Sequence, residues 1–418
     1  MPILYDVVFL LYSLFYIPYL LLTKRWHGDY AQRFGIFPEN LRLKLHQSEN
    51  IWVHAVSVGE VIAVEGFIRR LKERSPKLNI VCSVTTKTGY ELAHQRLANT
   101  ACVIAAPLDF SFTVRAFVRL LRPKLYIAAE TEIWPNLFER LRRENVPIAI
   151  INGRISDRSF GRYQLIKGLL KGILNNVSAF AMQSELDAQR IVDLGADKSR
   201  VQAVGNIKFD DIDSRVRGND SGMGFGNDKF IWIAGSTHPG EEDIVLEVFK
   251  KLKPSYPDWQ LMIAPRHVER TAEVMALVEK AGLKGALFSK LDSRFRGNDS
   301  VIIVDTIGDL RRLYSFAALV FVGKSLCIGG GHNIIEPAFF AKPIIIGPRM
   351  ENFRDITACF KTEDAIAQVQ DAAEFESAVK DLMADQQKRE ALGKSARRVI
   401  DKNQGATERA LKLIEQWL

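Results

Sequence analysis

The chain is sparing with the residues that cross-link a fold or cage a metal. It has four cysteines in 418 residues, Cys82, Cys102, Cys327 and Cys359, and no two form a CxxC pair. Their scatter argues against a disulfide framework and a zinc site, and predicts reduced thiols in a cytosolic compartment. No GxGxxG fingerprint is present, so no dinucleotide cofactor is indicated. No Asp-x-Asp pair stands at a predicted strand end, and chemistry without a metal or other cofactor is expected. The amino-terminal region lacks both a basic leader and a small-residue cleavage site, so a removed signal peptide is not expected. No aromatic-basic recognition module accompanies the surplus of Lys and Arg, so nucleic acid is not an expected partner.

What is present suits two domains plus an appendage, since one ordinary core does not extend over this length. Apolar residues make up 47% and charged residues 25%, as in globular proteins, and the formal net charge is +8. That surplus favours anionic partners such as acidic lipid headgroups or phosphorylated substrates. From Pro2 to Thr23 the chain is nearly continuous apolar and aromatic, interrupted by Asp6, Ser13 and Pro18, and Lys24-Arg25 follows. A run of about 20 such residues matches a bilayer core, and the basic pair after it places the body on the cytoplasmic side. A membrane anchor over residues 1–24 is expected, either spanning the bilayer or lying in its interface.

Short apolar strands then alternate with helical segments. Strands are predicted at Ile51–Val56, Asn79–Val84, Ala101–Ala105, Leu125–Ala129 and Pro147–Ile151. The alternation restarts after Asp211, with strands at Phe230–Ala234, Gln260–Ala264, Val301–Val304, Ala318–Val322 and Pro343–Ile346. This is an α/β pattern, two Rossmann-like domains with parallel doubly wound sheets, over residues 25–211 and 228–395. Residues 396–418 are expected to be helical and to pack back on the first domain. Ligands of such folds bind at the carboxyl ends of the strands, and a cleft between the domains is expected to hold them. The segments Asp213–Ser221 and Asp292–Ser300 differ only at Val216 and Phe295. Their Gly, Asn and Asp suit exposed loops, and they read as a short inserted element tolerated there.

Six strand-end stretches carry candidate chemistry. In HAVSVGE, Ser57 and Gly59 make a small turn and Glu60 opens a helix, whose dipole would hold the carboxylate ionised as a proton acceptor. The same position also suits a purely structural helix-start Glu. In ETEIWPN, Glu130 and Glu132 are two apart and would point the same way in extended chain. One of them could instead cap the next helix or pair with an Arg. In GNIKFD, Lys208 could reach a carboxylate or phosphate across the cleft. In GSTHPGEE, Ser236 and Thr237 could cap a helix or donate to a phosphate. Arg266 of APRH suits a phosphate or carboxylate. In GGGHNIIEP, the amides of Gly329, Gly330 and Gly331 before a helix over Asn333–Phe340 suggest an anion site, and Glu336 could accept ribose hydroxyls.

Taken in order, HAVSVGE, ETEIWPN, GNIKFD, GSTHPGEE, APRH, GGGHNIIEP and the following GP…NF resemble the 3-deoxy-D-manno-octulosonic acid (Kdo) transferases. These are inverting enzymes of the GT-B class, glycosyltransferase family 30. The resemblance covers nearly the whole chain. It implies transfer of Kdo from CMP-Kdo to a lipid A precursor, lipid IVA, in lipopolysaccharide core synthesis at the cytoplasmic face of the inner membrane. It maps Glu60 onto the general base, acting on the acceptor 6′-hydroxyl, and Glu132 onto its support. Ser57, Gly59, Lys208, Ser236, Thr237, Arg266, Gly330, Gly331, Asn333 and Glu336 map onto substrate and donor binding, with no metal ligands. An anionic inner-membrane surface is the implied partner. The chain departs from the family in the two RGND segments and in Lys324, where a small residue is expected. A UDP-sugar transferase of the same architecture acting on a membrane lipid is the alternative.

Overall fold

The computed structural model describes residues 5–7, 9–11, 30–46, 49–210, 230–290 and 301–418. Two compact units divide the chain: Met1–Asp211 with Asn403–Leu418, and Ile212–Lys402. Each holds one seven-stranded sheet in which every pairing is parallel.

The first sheet comprises β1 (Asn50–Ala55), β2 (Asn79–Val84), β3 (Cys102–Ala105), β4 (Pro123–Ala129), β5 (Ile148–Gly153), β6 (Ala179–Met182) and β7 (Val201–Ala203). Their order is β3-β2-β1-β4-β5-β6-β7, so the winding reverses between β1 and β4. Both faces are covered, which is why the strands read as continuous apolar runs. Along β1, Ile51, Val53 and Ala55 join one buried cluster and Trp52 joins the other.

The second sheet comprises β8 (Phe230–Thr237), β9 (Trp259–Pro265), β10 (Gly285–Leu287), β11 (Val301–Ile303), β12 (Ala317–Val322), β13 (Ile344–Ile346) and β14 (Ala367–Gln368). The order β10-β11-β9-β8-β12-β13-β14 places its reversal between β8 and β12. The short strands β6, β7, β10 and β14 go beyond the sequence expectation; β7, β10 and β14 have two or three residues and lie at sheet edges.

The carboxyl-terminal stretch is not one continuous helix. Helices Ala372–Ala384, Gln386–Asn403 and Ala406–Ile414 are separated at Asp385 and at Gly405, whose φ is 82°. Ala406, Ala410, Leu411 and Ile414 pack into the first unit's core beside Val61, Val64 and Ile68. Asp210 fixes the entry of this helix, accepting the Gly405 and Thr407 N–H groups at 2.6 Å each.

Most of the expected anchor and both RGND segments lie outside the described residues. No helix among the described residues is long and apolar enough to cross a membrane. Tyr5–Val7 and Phe9–Leu11 are helical. Asp6, an interruption in the apolar run, accepts hydrogen bonds from Ser111 N–H at 3.1 Å and Asn136 Nδ2 at 2.7 Å. Phe9 meets the Phe110 ring edge-on at 4.8 Å, while Val7, Leu10 and Leu11 stay exposed.

Candidate active site

The switch point of a doubly wound sheet leaves a crevice beyond the carboxyl ends of the two diverging strands. In the first unit that point is β1/β4, and the residues following those strands include the predicted carboxylates. Ser57 is the N-cap of the helix Val58–Arg74, and Glu60 is its third residue. The Glu60 carboxyl folds back to accept Val56 N–H at 2.7 Å and the Ser57 hydroxyl at 3.1 Å. This is a variant of the capping box in which the carboxyl reaches the residue before the cap. Gly59 lies within the helix and makes no tight turn. A Cβ added there would meet only Ser57 Oγ, at 3.9 Å, so its flank is open.

Burial pushes the Glu60 carboxyl up to about 8. The Glu130 and Glu132 charges add to the rise, while Val56 N–H and Ser57 oppose it. The expectation that the helix start holds it ionised therefore fails. Glu60 is 6% exposed, and loss of hydration outweighs the dipole. Glu132 is raised to about 7 by burial and then by Glu130.

Glu130 does not lie in extended chain. Its φ is 54°, so the two-residue alternation expected for Glu130 and Glu132 does not apply. Its carboxylate takes Lys208 Nζ at 3.2 Å and Arg154 Nε at 3.1 Å. Lys208 thus pairs inside its own unit rather than reaching across a cleft. Arg154 and its role were not legible from spacing. Tyr126 lies beneath this group, its buried hydroxyl held well above its usual range by burial and by Glu132, Asp109 and Glu60.

In the second unit the residues after β8, β9 and β12 make a cationic group. Ser236 and Thr237 are the last residues of β8, with Ser236 at φ 55°. They do not cap the next helix, Glu241–Leu252, whose N-cap is Gly240. Thr237 Oγ1 is buried without a hydrogen-bond partner among the described residues. His238 Nε2 lies 3.1 Å from His332 Nε2, and the His267 ring stands edge-on to His238 at 5.9 Å. Burial, then the Lys324 charge, lowers His238 to about 4; burial, then Arg266, lowers His332 to about 3. Arg270 is neutralised by Glu242 at 2.7 Å and Glu273 at 2.7 Å. Arg266 and Lys324 have no carboxylate partner among the described residues. Two uncompensated cations beside two neutral imidazoles suit an anionic ligand.

The glycine-rich turn is built differently from the expected amide cradle. Gly330 N–H is held by Glu351 at 2.6 Å and Gly331 N–H by Lys324 O at 2.8 Å. These glycines serve shape: φ is 121° and 68°, and side chains there would run into Asn352 and Met350. The helix that follows is only Ile335–Phe339, starting two residues later than expected. Asn333 precedes it, accepting Ile335 N–H at 3.0 Å and donating to Glu336 at 3.4 Å. A five-residue helix contributes little dipole, so charge for an anion must come from Arg266 and Lys324. Lys324 replaces the expected small residue with φ 58° and anchors its loop through its N–H on Glu241 at 2.7 Å.

Comparison with known proteins joins these units to one family. Residues 28–211 match the family described as 3-deoxy-D-manno-octulosonic-acid transferase (kdotransferase), and residues 241–399 match glycosyl transferases group 1. The 3-deoxy-D-manno-octulosonic acid transferase of Haemophilus influenzae is 34% identical over 400 residues, covering 95% of this chain and 93% of that protein. A bifunctional glycosyltransferase/methyltransferase of Fusobacterium nucleatum is 38% identical over 345 residues, 80% of this chain, which spans only 53% of that longer protein. In fold, the chain is similar to the UDP-GlcNAc 2-epimerase of Neisseria meningitidis, with a TM-score of 0.55 at 10% identity over 88% of this chain and all of that one. The two parallel sheets are those of a GT-B-like glycosyltransferase fold, and the chain belongs to the 3-deoxy-D-manno-octulosonic acid transferase family of glycosyltransferases.

Proposed function

We propose that the protein transfers Kdo from CMP-Kdo to the 6′-hydroxyl of a lipid A precursor, lipid IVA, with inversion at the anomeric carbon. The observation that carries this reading is the Glu60 carboxyl, raised to about 8 at the β1/β4 switch point. Once ionised, a carboxylate of that basicity accepts the hydroxyl proton far better than an ordinary surface carboxylate. The acceptor oxygen attacks the anomeric carbon as the bond to phosphate breaks. The bonding pair leaves on the CMP phosphate, and the proton goes to Glu60. Positive charge builds on the sugar in the transition state, as in glycoside hydrolysis.

In this reading Glu132 supports Glu60 or the acceptor, and Ser57 fixes the base in place. Gly59 gives the acceptor access, and Lys208 holds Glu130. Arg266 and Lys324 stabilise the departing phosphate. Ser236 and Thr237 line the same group, Asn333 and Glu336 take the ribose, and Gly330 and Gly331 shape the loop. Charge stabilisation comes from protein cations, so EDTA is expected to leave the rate unchanged. The apolar amino-terminal run and the positive charge are proposed to hold the enzyme on an anionic inner-membrane surface, where the lipid acceptor resides.

Incubation with CMP-Kdo and tetraacylated lipid A precursor, followed by mass spectrometry, tests the reaction. A product heavier by one or more Kdo residues, lost in Glu60→Ala, is expected. Near-normal transfer by a folded Glu60→Ala protein would remove the base assignment. Thermal protection by UDP instead of CMP would move the reading to a UDP-sugar transferase.

A further inference from the structure

We propose that His238 and His332 form a two-imidazole element of the donor site that gains one proton when the anionic donor binds, so that the leaving phosphate meets a cationic pair. The proposal rests on the donor reading above and concerns groups that the mechanism so far leaves unused.

The geometry comes first. The two Nε2 atoms are 3.1 Å apart, and the rings lie 17° from coplanar with centroids 5.3 Å apart. Neutral imidazoles at that distance share one hydrogen: one Nε2 donates, and the other accepts with its own hydrogen on Nδ1. The pair bridges the β8 turn and the glycine-rich loop after β12, the two sides of the second unit's switch point. A further proton has a place to go, on the outer Nδ1 of the donating ring, whose lone pair is free.

The surrounding charges decide when that proton arrives. From the end of β9 come Arg266 and His267, from the turn beyond them Arg270, and from the loop after β12 Lys324. The acidic groups nearby are Glu241 and Glu242 at the start of the helix Glu241–Leu252, and Glu336 in the short helix after the loop. Glu241 accepts four backbone N–H groups, among them His238 N–H at 3.0 Å, and Glu242 is paired with Arg270. Arg266 and Lys324 therefore set an uncompensated positive field, which together with burial keeps both rings neutral in the ligand-free protein.

A donor carrying a phosphate and a sugar carboxylate brings two negative charges into that field. Those charges offset Arg266 and Lys324, and the pair becomes a more favourable seat for a proton than in the ligand-free protein. By linkage, proton uptake on binding means that acid strengthens binding. The sign is fixed: the free pair is neutral above about pH 4, the bound pair holds its one extra proton nearer neutrality, and affinity rises as pH falls between those limits.

The test is titration calorimetry of CMP into the full chain at pH 6.5, in two buffers of different ionisation heat. CMP's own phosphate titrates in this range, and His238→Gln and His332→Gln carry that contribution unchanged. The expected result is a parent protein that takes up close to one proton more than either variant, with both variants still binding CMP, more weakly. Equal uptake by parent and variants would overturn the pair while leaving the donor reading intact. No CMP binding by the parent would overturn both. If the variants fail to fold, the parent's affinity for a phosphodiester of CMP, whose phosphate does not titrate in this range, decides: affinity falling towards acid overturns the proposal, and affinity rising by several-fold from pH 8 to pH 6 supports it.

Discussion

The Glu241 carboxylate accepts the Lys324 backbone N–H at 2.7 Å, and this one contact ties the first turn of the second unit to the loop after β12. The same carboxylate takes Ser325 and Leu326 N–H at 3.0 Å each and His238 N–H at 3.0 Å. It is fully buried, and burial raises it against these four donors. The cationic group of the second unit thus stands on a carboxylate that touches no predicted ligand.

Replacing Glu241 by Ala would leave four buried donors without an acceptor. Hydrogen bonds to a charged group contribute roughly 1.5–3 kcal/mol each, and partial relaxation recovers some of the loss, so a destabilisation of at least ~3 kcal/mol is expected. Denaturant unfolding of the variant measures it. A variant within 1 kcal/mol of the parent, by the same measure of ordinary surface changes, would show that the four donors find other partners.

Gly59 gives the opposite case. It lies in a helix with no positive φ and open space beyond it, so Gly59→Ala is expected to fold and to gain roughly 0.5–1 kcal/mol. If the acceptor approaches over this residue, the methyl group raises KM for the lipid with little change in melting temperature. A variant with parental kinetics would place the acceptor elsewhere.

Asp6 has a structural duty that the sequence pattern concealed. Within an apolar run it reads as a flaw in a membrane helix, yet it accepts from Ser111 and Asn136. Asp6→Ala is expected to release Tyr5–Leu11 from the first unit. Faster hydrogen exchange and earlier proteolysis of this segment, with unchanged protection in β1 and β4, would show it.

The sheets were legible because doubly covered parallel strands are apolar on both faces and stand out from the helices between them. Short edge strands such as Ala367–Gln368 carry too few residues for that signal. The site was legible as a set of strand ends: Glu60, Glu130 and Glu132 all follow β1 or β4, Ser236 closes β8 and Arg266 follows β9, whereas Lys324, after β12, stood out only as a departure from the family pattern. What each group does there was not legible. No spacing indicates that Glu241 reaches a loop more than eighty residues away, nor that the glycine amides are already engaged by Glu351 and Lys324. Burial also reversed a local argument, since a helix-start Glu should be ionised and Glu60 is raised instead.

That reversal sets a pH signature. Glu60 ionises near 8 in the folded protein and near 4.5 when unfolded. A raised carboxyl contributes its stability below the unfolded value, loses it progressively as pH rises, and has lost it entirely above the folded value. Glu60→Gln should therefore melt several degrees above the parent at pH 8.5 and coincide with it at pH 4. Transfer by the parent should climb with pH towards a limb near 8, because only the carboxylate accepts the proton. A parent rate that is flat from pH 6 to 9, measured where chemistry limits turnover, contradicts the assignment.

The position of that limb depends on Lys208. Its ammonium sits 3.2 Å from Glu130, whose negative charge is among the causes that raise Glu60. Lys208→Met removes one of the two cations on Glu130 and leaves Arg154 alone at 3.1 Å. More of the Glu130 charge then reaches Glu60, whose ionisation becomes harder. The ascending limb should move to higher pH, with the greatest loss of rate near pH 7 and partial recovery near pH 9. Lys208→Arg keeps the charge and should restore the parental profile. A uniform loss of rate at every pH in Lys208→Met would instead mean that Lys208 binds substrate directly and that its pairing with Glu130 is incidental to the base.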